Sequence, residues 1–335
     1  MPDSARPRTM SIGGATYDLF VRTHQNLIRN DGEQQFFSFP LGEKVRVEDV
    51  IETCGGGASN TAVGLARLEC NAGFCGVIGS DQWGEKLLAN LRKEGVNTEC
   101  ATVVEGEVSS FSIILSSENG ERVILYTPGT NVHLHDAVFN KEAIQKVQWV
   151  YLNHIQEHNC VIQDDIIAML ANDTEPRFSW NPGGYQIDVG ISEPNNRMLL
   201  SHTDLILLNQ EEALKFTKTE TVNDALRAIL DSGAKNVCIT QGREGTVASD
   251  GEKIFHCPIV AGVTTVDATG AGDAFGIGST WALLNGENLP TALKAGTINA
   301  ASVVSAIGAQ AGLLTDIEMR ARLQQVALEV SIRSL

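Results

Sequence analysis

VDATGAGDAFGIGSTWALLNG, residues 266–286, crowds Gly270, Gly272 and two aspartates, Asp267 and Asp273, into the mouth of what then reads as a helix. Gly270, Ala271 and Gly272 leave backbone N–H groups unobstructed at that helix N-terminus. Unpaired donors and the helix dipole attract an anion there. Asp273 sits just inside the same turn. A carboxylate beside a site that only binds phosphate is electrostatically odd. It makes sense if it accepts the proton of a hydroxyl that attacks the phosphate. Taken alone, the segment also admits a plainer reading, in which Asp273 is a favourable charge in the first turn of a helix.

Upstream, apolar strands alternate with amphipathic helices. Strands are expected in WVYLNH (149–154), RFSWNPGG (177–184), DLILLNQ (204–210) and NVCITQG (236–242). Helices are expected in KEAIQKV (141–147), QDDIIAMLAN (163–172), EEALKF (211–216) and VNDALRAILDSG (222–233). Continuous apolar strands separated by such helices argue for a parallel sheet covered on both faces. The N-terminal part starts with TMSIGGATYDLF (9–20), a strand with Asp18 near its end. GGGASNTAVGLARLEC (55–70) is a glycine loop entering a helix, followed by strand AGFCGVIG (72–79). DQWGEKLLANLRKEG (81–95) is a helix capped by Asp81 and stopped at Gly95. FSIILSSENGERVILYTPG (111–129) reads as a hairpin turning at Asn119–Gly120, and GTVASDGEKIFHC (245–257) as a second hairpin. The tail after 271 is helical. No repeat or linker is evident, so one domain over 1–335 is expected. The half-exposed strands at 34–47 and 108–127 do not fit the alternation, and a small β-sheet lid is expected from strands within about 15–50 and 108–128.

Other strand ends carry candidate groups. ITQGREG places Thr240, Gly242 and Gly245 at one of them, where ligands of open α/β sheets bind. LLNQEEA places Asn209 and Glu212 at another, with oxygens suited to Mg2+ through water. GGGASN carries Asn60, and with Asp18 it offers the amide and carboxylate that a polyhydroxylated substrate needs. Each segment alone also suits an ordinary turn, cap or packing contact. The phosphate loop GxxxxGK[ST] is absent because no lysine follows, and no GxGxxG follows a strand.

The formal charge of −16 argues against a nucleic-acid partner. Seven cysteines without a CxxC pair fit buried free thiols in a reducing compartment. The polar start and the lack of a long apolar run point to a cytoplasmic protein with no membrane partner.

In this order the motifs resemble the PfkB (ribokinase-like) family of carbohydrate and nucleoside kinases, from about residue 10 to about 315. DATGAGDAFGIG is the most specific element. The stretch 55–87, beginning GGGASNTAVGLARLEC, looks like the family's N-terminal signature. The resemblance implies a ribokinase-like three-layer α/β fold, a mostly parallel sheet between helices with a small lid. It implies phosphoryl transfer from ATP, with Mg2+, to a hydroxyl of a small sugar or a nucleoside. By similarity Asp273 is the base, and Gly270, Ala271 and Gly272 form the anion hole. Asp18, Gly56 and Asn60 contact the acceptor. Asn209, Thr240, Gly242 and Gly245 serve the nucleotide, and Glu212 serves Mg2+. Asp267 and Thr269, with backbone carbonyls of Val303, Ala306 and Gly308, match a monovalent cation site for K+.

Departures matter too. Ribokinases proper carry a lysine where this chain has Gly57, which speaks against ribose itself. A sugar-contacting glutamate is expected near Gln156 and Glu157. Phe37, Phe39, Tyr126 and Asn131 are candidates for shaping the pocket, whereas His133, His135, His154 and His158 read as surface or loop residues. A non-catalytic sensor of the same fold is the competing class, and the intact Asp273 turn argues against it. An exposed lid edge would suit a homodimer.

Overall fold

The computed structural model describes residues 6–23, 27–32, 34–116, 122–135, 146–154, 161–170 and 176–335. The Asn119–Gly120 turn, most of the expected helix over 141–147, and Gln156, Glu157 and His158 lie outside the described residues.

Sixteen strands are described: β1 Arg8–Ile12, β2 Thr16–Arg22, β3 Ile28–Asp31, β4 Gln34–Phe37, β5 Asp49–Gly55, β6 Asn71–Gly79, β7 Asn97–Val104, β8 Phe111–Ser116, β9 Arg122–Thr127, β10 Trp149–Leu152, β11 Arg177–Trp180, β12 Leu205–Asn209, β13 Val237–Thr240, β14 Thr246–Ser249, β15 Lys253–Cys257 and β16 Ser331–Ser334. Ten of them form one sheet in the order β16-β15-β14-β13-β12-β11-β10-β1-β6-β7. From β7 to β13 every pairing is parallel; β14, β15 and β16 add on antiparallel.

The apolar runs of the central strands follow from this layering. Successive side chains of a strand point to opposite faces. Trp149, Tyr151, Leu205 and Leu207 therefore join one core, with helices Gly57–Arg67, Ala271–Leu284 and Leu289–Val303. Val150, Leu152, Ile206 and Leu208 join the other, with helices Val161–Leu170, Pro194–Ser201, Gln210–Thr217 and Val222–Asp231. Neither face meets water, so neither needs polar alternation. Local signals hold as well. The Asp81 side chain accepts the Gly84 N–H at 3.0 Å, and Gly95 closes that helix at φ 78°.

The lid is a second sheet in the order β5-β2-β8-β9. Two expectations need correction. The first segment is not one strand. It breaks at Gly13–Gly14 into β1, in the main sheet, and β2, in the lid, so Asp18 lies inside a lid strand. The stretch 34–47 contributes nothing to the lid: β4 pairs only with β3, in a separate hairpin. Parallel strands end on one rim, so Gly13 after β1, Asn153 after β10, Asn209 at the end of β12 and Thr240 at the end of β13 collect beneath the lid. Among the described residues, no helix is long and apolar enough to cross a membrane.

Candidate active site

Helix Ala271–Leu284 aims its N-terminus at this rim. Gly270 caps it at φ 77°, and a Cβ there would lie 2.4 Å from that of Ala309. Only glycine meets both conditions. The Ala274 N–H makes a helical bond to the Gly270 carbonyl at 2.8 Å, so the Gly272 and Asp273 N–H groups precede it at the open end. Space beside the Gly272 Cα is empty. A cavity of about 220 Å³ faces this turn, lined by Gly270 to Asp273, Thr240, Asn209, Glu212, Asn181 and His154. The expected anion-binding turn, Asp273 and one residue from each of two strand ends thus share one space.

Asp273 accepts a 2.8 Å hydrogen bond from Asn60 Nδ2. Burial raises its carboxyl above the usual range; the Asn60 bond and the charge of His154 oppose the rise, and Glu212 adds to it. The net direction is toward a stronger proton acceptor.

A second cavity of about 240 Å³ adjoins the first and shares His154 with it. Its lining includes Asp18, Gly56, Ser112, Tyr126, Asn131 and Asn153. Asp18 is only 6% exposed. Burial pushes its carboxyl up to about 6; a hydrogen bond with Ser112 limits the rise, and the Asp267 charge adds to it. Asn131 Oδ1 and Asn153 Oδ1 are buried with no protein partner. The Asp18 carboxylate can thus accept hydrogen bonds from hydroxyl groups in this cavity, beside two buried amide oxygens that have no protein partner. A Cβ on Gly57 would come within 2.9 Å of Asn153 Oδ1. The missing lysine and the buried Asn153 thus belong to one arrangement.

Asn60 bonds Asp273 and does not line this second cavity, while Gly56 does. Of the pocket candidates, Tyr126 and Asn131 line it; Phe37 and Phe39 stack on each other, 6.4 Å between centroids, outside both cavities. His133 pairs with Glu107 at 2.6 Å. His154 follows β10 in a loop, half-buried, and lines both cavities. Its Nδ1 lies 2.9 Å from the Pro182 carbonyl, which can only accept, so Nδ1 carries the proton and Nε2 is left for the site.

Asn209 and Glu212 form a reciprocal helix cap: Asn209 Oδ1 accepts the Glu212 N–H at 2.9 Å, and Glu212 Oε2 accepts the Asn209 N–H at 2.8 Å. Glu212 keeps its other carboxylate oxygen, so it still fits Mg2+ through water. Thr240 lines the first cavity, but Gly242 and Gly245 shape the turn behind it and do not. Their neighbour Arg243 lines a larger cavity of about 660 Å³, together with Arg22 and Arg122 of the lid and Asp267.

The expected cation ligands do not fit K+ in this arrangement. Asp267 Oδ2 accepts the Gly308 N–H at 3.1 Å. Oδ1 accepts from the Thr269 N–H, the Thr269 hydroxyl and, at 2.6 Å, Arg122 Nη1. Arg122 also donates to the Thr269 hydroxyl at 3.0 Å. The Val303 carbonyl accepts the Ala306 N–H. Asp267, Thr269 and Gly308 are brought together, but a guanidinium already supplies the positive charge. Among the described residues, no cluster of three or more His, Cys, Asp or Glu side chains could hold a metal.

A family model described as pfkB family carbohydrate kinase matches residues 25–316. A ribokinase of Haemophilus influenzae is 28% identical over 295 residues, covering 84% of this chain and 90% of its own. An uncharacterized sugar kinase of Archaeoglobus fulgidus is 27% identical over 256 residues, covering 76% of this chain and 100% of its own. Among solved structures, Arabidopsis thaliana ribokinase complexed with ribose and ATP superimposes with a TM-score of 0.76 at 21% identity, over 96% of this chain and 99% of that one. A Burkholderia thailandensis nucleoside kinase in complex with inosine gives 0.75 at 18%, over 95% and 98%. The fold is thus the ribokinase-like one, with a large mixed sheet between helices and a small lid sheet.

The position of Asp18 has a measurable cost. A carboxyl raised in the folded state stabilises below its unfolded pKa, and that contribution is lost as pH rises through the folded value. Between 3.8 and about 6 the loss amounts to about 3 kcal/mol. Asp18→Asn removes the charge in nearly the same shape. Its Tm at pH 7.5 should exceed that of the unmodified chain by about 2–4 °C. The difference should vanish near pH 3.8, the ordinary value for this carboxyl. Calorimetry at the two pH values checks this, and an equal Tm at pH 7.5 contradicts it.

Proposed function

The chain belongs to the pfkB family of carbohydrate kinases, and from that premise we propose that it transfers the terminal phosphoryl group of ATP to a hydroxyl of a small sugar. One observation carries the reading: the cavity at the helix end, which holds Asp273, and the cavity of Asp18 are separate spaces that meet at His154.

In this reading the sugar lies in the cavity of Asp18, Asn131 and Asn153, which accept its hydroxyl hydrogens. The hydroxyl to be phosphorylated points to Asp273. Asp273 takes its proton as the oxygen bonds to phosphorus and the bond to the ADP oxygen breaks. The Gly272 and Asp273 N–H groups donate to the phosphoryl oxygens, where each well-aimed donor contributes about 10²–10³ in rate. His154 Nε2 borders both reactants. Arg22, Arg122 and Arg243 line the larger neighbouring cavity and suit the remaining phosphates of the nucleotide. Glu212 would hold Mg2+ through water, and the ion would neutralise phosphate charge. The apolar cleft of Val260, Val263, Ile298 and Ala301, about 340 Å³, suits the adenine ring.

The pocket chemistry supports a sugar. Buried oxygen acceptors select hydroxyl donors, and a cavity of about 240 Å³ suits a monosaccharide. A nucleoside acceptor is the second reading, favoured by Tyr126. Its ring faces this cavity from the lid, 45% exposed, and offers a base one stacking surface.

ADP production from Mg-ATP over a panel of sugars, sugar phosphates and nucleosides tests the reading. Turnover should appear on a small sugar, and Asp273→Asn should lower kcat by about 10²–10⁴ while calorimetry still detects both ligands. Unchanged turnover removes the base. Binding without turnover on any acceptor favours a sensor. Because Arg122 holds Asp267, the rate in buffer free of K+ and Na+ should equal the rate with K+; a strict K+ requirement would mean that the guanidinium is displaced. On edge strand β9, Val123, Ile124, Leu125 and Tyr126 are all exposed, with Ile124 and Tyr126 also lining the pocket, and this apolar edge supports a homodimer joined through the lids. Light scattering should give twice the chain mass, and Leu125→Lys should halve it; a monomeric unmodified chain rejects the dimer.

A further inference from the structure

Asn60 touches Asp273 through its NH2 group, and an amide can present either end to a neighbour. What decides the end lies on the far side of Asn60. Its Oδ1 accepts a 3.0 Å hydrogen bond from Gln310 Nε2. The same Nε2 donates to the Ser59 hydroxyl at 3.0 Å. Gln310 Oε1 in turn accepts from Asn90 Nδ2 at 2.8 Å. Three amides thus run in one direction, Asn90 to Gln310 to Asn60, and end on the Asp273 carboxylate.

The direction is held as a unit. Turning Asn60 over would set its NH2 against the Gln310 NH2 and its oxygen against the carboxylate. Turning Gln310 over would set its oxygen against Asn60 Oδ1 and its NH2 against the Asn90 NH2. Both residues are buried, Asn60 at 3% and Gln310 at 7% exposure, so water does not readily replace a misdirected bond. The backbone of Gln310 is anchored too: its carbonyl accepts from Arg67 Nη1 at 2.7 Å, and Arg67 is clamped by two 2.8 Å bonds to Glu94.

We propose that Gln310 is a positioning residue for the proton acceptor, keeping the Asn60 amide turned with its NH2 toward Asp273 through the Asn90–Gln310–Asn60 relay. The inference rests on the reading of Asp273 as the base. Gln310 reaches no reacting atom; it acts through Asn60. The other groups facing Asp273 are His154 after β10, Glu212 after β12 and the Tyr151 hydroxyl of β10. None of them bonds Gln310.

The relay is read directly by NMR titration of the full chain labelled with ¹³C at aspartate carboxyls, with Asp273→Asn assigning the resonance. In Gln310→Leu, which is neutral, Asn60 loses its directing donor, and the Asp273 midpoint should rise by about half a pH unit or more. In Gln310→Glu, whose ionised carboxylate only accepts, Asn60 should turn around, and the rise should exceed one unit. The acid limb of kcat should move the same way. On an Asn60→Ala background Gln310→Leu should move the midpoint no further, whereas a merely structural role predicts the same added change. Should the Gln310 variants fail to fold, Asn90→Asp, at the half-buried end of the relay, should give a smaller rise in the same direction. An Asp273 midpoint unmoved in the folded variants overturns the proposal, as does equal movement without Asn60. If Asp273→Asn keeps full turnover, the reading of the base falls, and the carboxyl titration still decides the relay.

Discussion

The site depends on one close contact, Gly270 against Ala309. There the N-terminus of helix Ala271–Leu284 is pressed onto the loop that follows helix Leu289–Val303, with no room for a side chain at 270. Backbone bonds from Val266 and Asp267 to the Val304 carbonyl, and from Gly308 to Asp267 Oδ2, fasten the same two segments. The contact fixes where the free N–H groups point. It also sets the next residue, Gln310, against Ser59 and Asn60 on helix Gly57–Arg67. The anion-binding turn, the carboxylate within it and the amide that holds that carboxylate are consequences of a single packing arrangement.

Charge is the second constraint. Asp18, Asp267 and Asp273 converge in a chain whose formal charge is already −16, and the proposed co-substrate is itself an anion. Each carboxylate meets a different answer. Asp267 is neutralised by Arg122 across 145 residues of sequence. Asp273 is held by a neutral amide and a histidine, which limit its basicity without cancelling it. Asp18 is left nearly bare, and its raised pKa is the result. An unpaired buried carboxylate is worth keeping only if something arrives to use it, and a sugar hydroxyl does so without adding charge. Arg122 also reaches from the lid to the loop that precedes helix Ala271–Leu284. Lid position and the electrostatics around Asp267 are therefore coupled, since moving β9 away exposes that charge.

Much of this was legible in the sequence because periodicity and helix-end chemistry are local. The WVYL and LILL runs could only be strands buried on both faces, and the Gly-Ala-Gly-Asp turn could only open a helix. Long-range pairings were not legible. Arg122 gave no sign, because its partner lies 145 residues away in the loop before helix Ala271–Leu284. The sequence places Asp18 near the end of one strand over 9–20; the break at Gly13–Gly14, which sets Asp18 inside lid strand β2, looks like any glycine pair. The edge strand β16 is four exposed residues with no pattern, and pairing with β15 alone makes it a strand. His154 does sit in the loop after β10; what the surface reading misses is that in WVYLNH the switch from a buried apolar run to two polar residues marks the rim where ligands bind.

The acceptor pocket shows how a departure from a motif becomes intelligible through its neighbour. A side chain at 57 would collide with Asn153, which is buried and tied by its Nδ2 to Thr61 at 3.0 Å. That bond uses the donor end of the amide, while Oδ1 stays buried beside Gly57 with no protein partner. A lysine at 57 would have brought a donor to the acceptor molecule; the pair Gly57 and Asn153 brings an oxygen instead. Asn131 Oδ1 and Asp18 repeat the same polarity. A pocket built this way favours ligands rich in O–H groups. It penalises any that present a lone pair or an anionic group at those points, because each would leave a buried oxygen facing another acceptor. In the proposed reading, the buried Asp18 carboxylate disfavours an acceptor that carries a carboxylate or phosphate at that end.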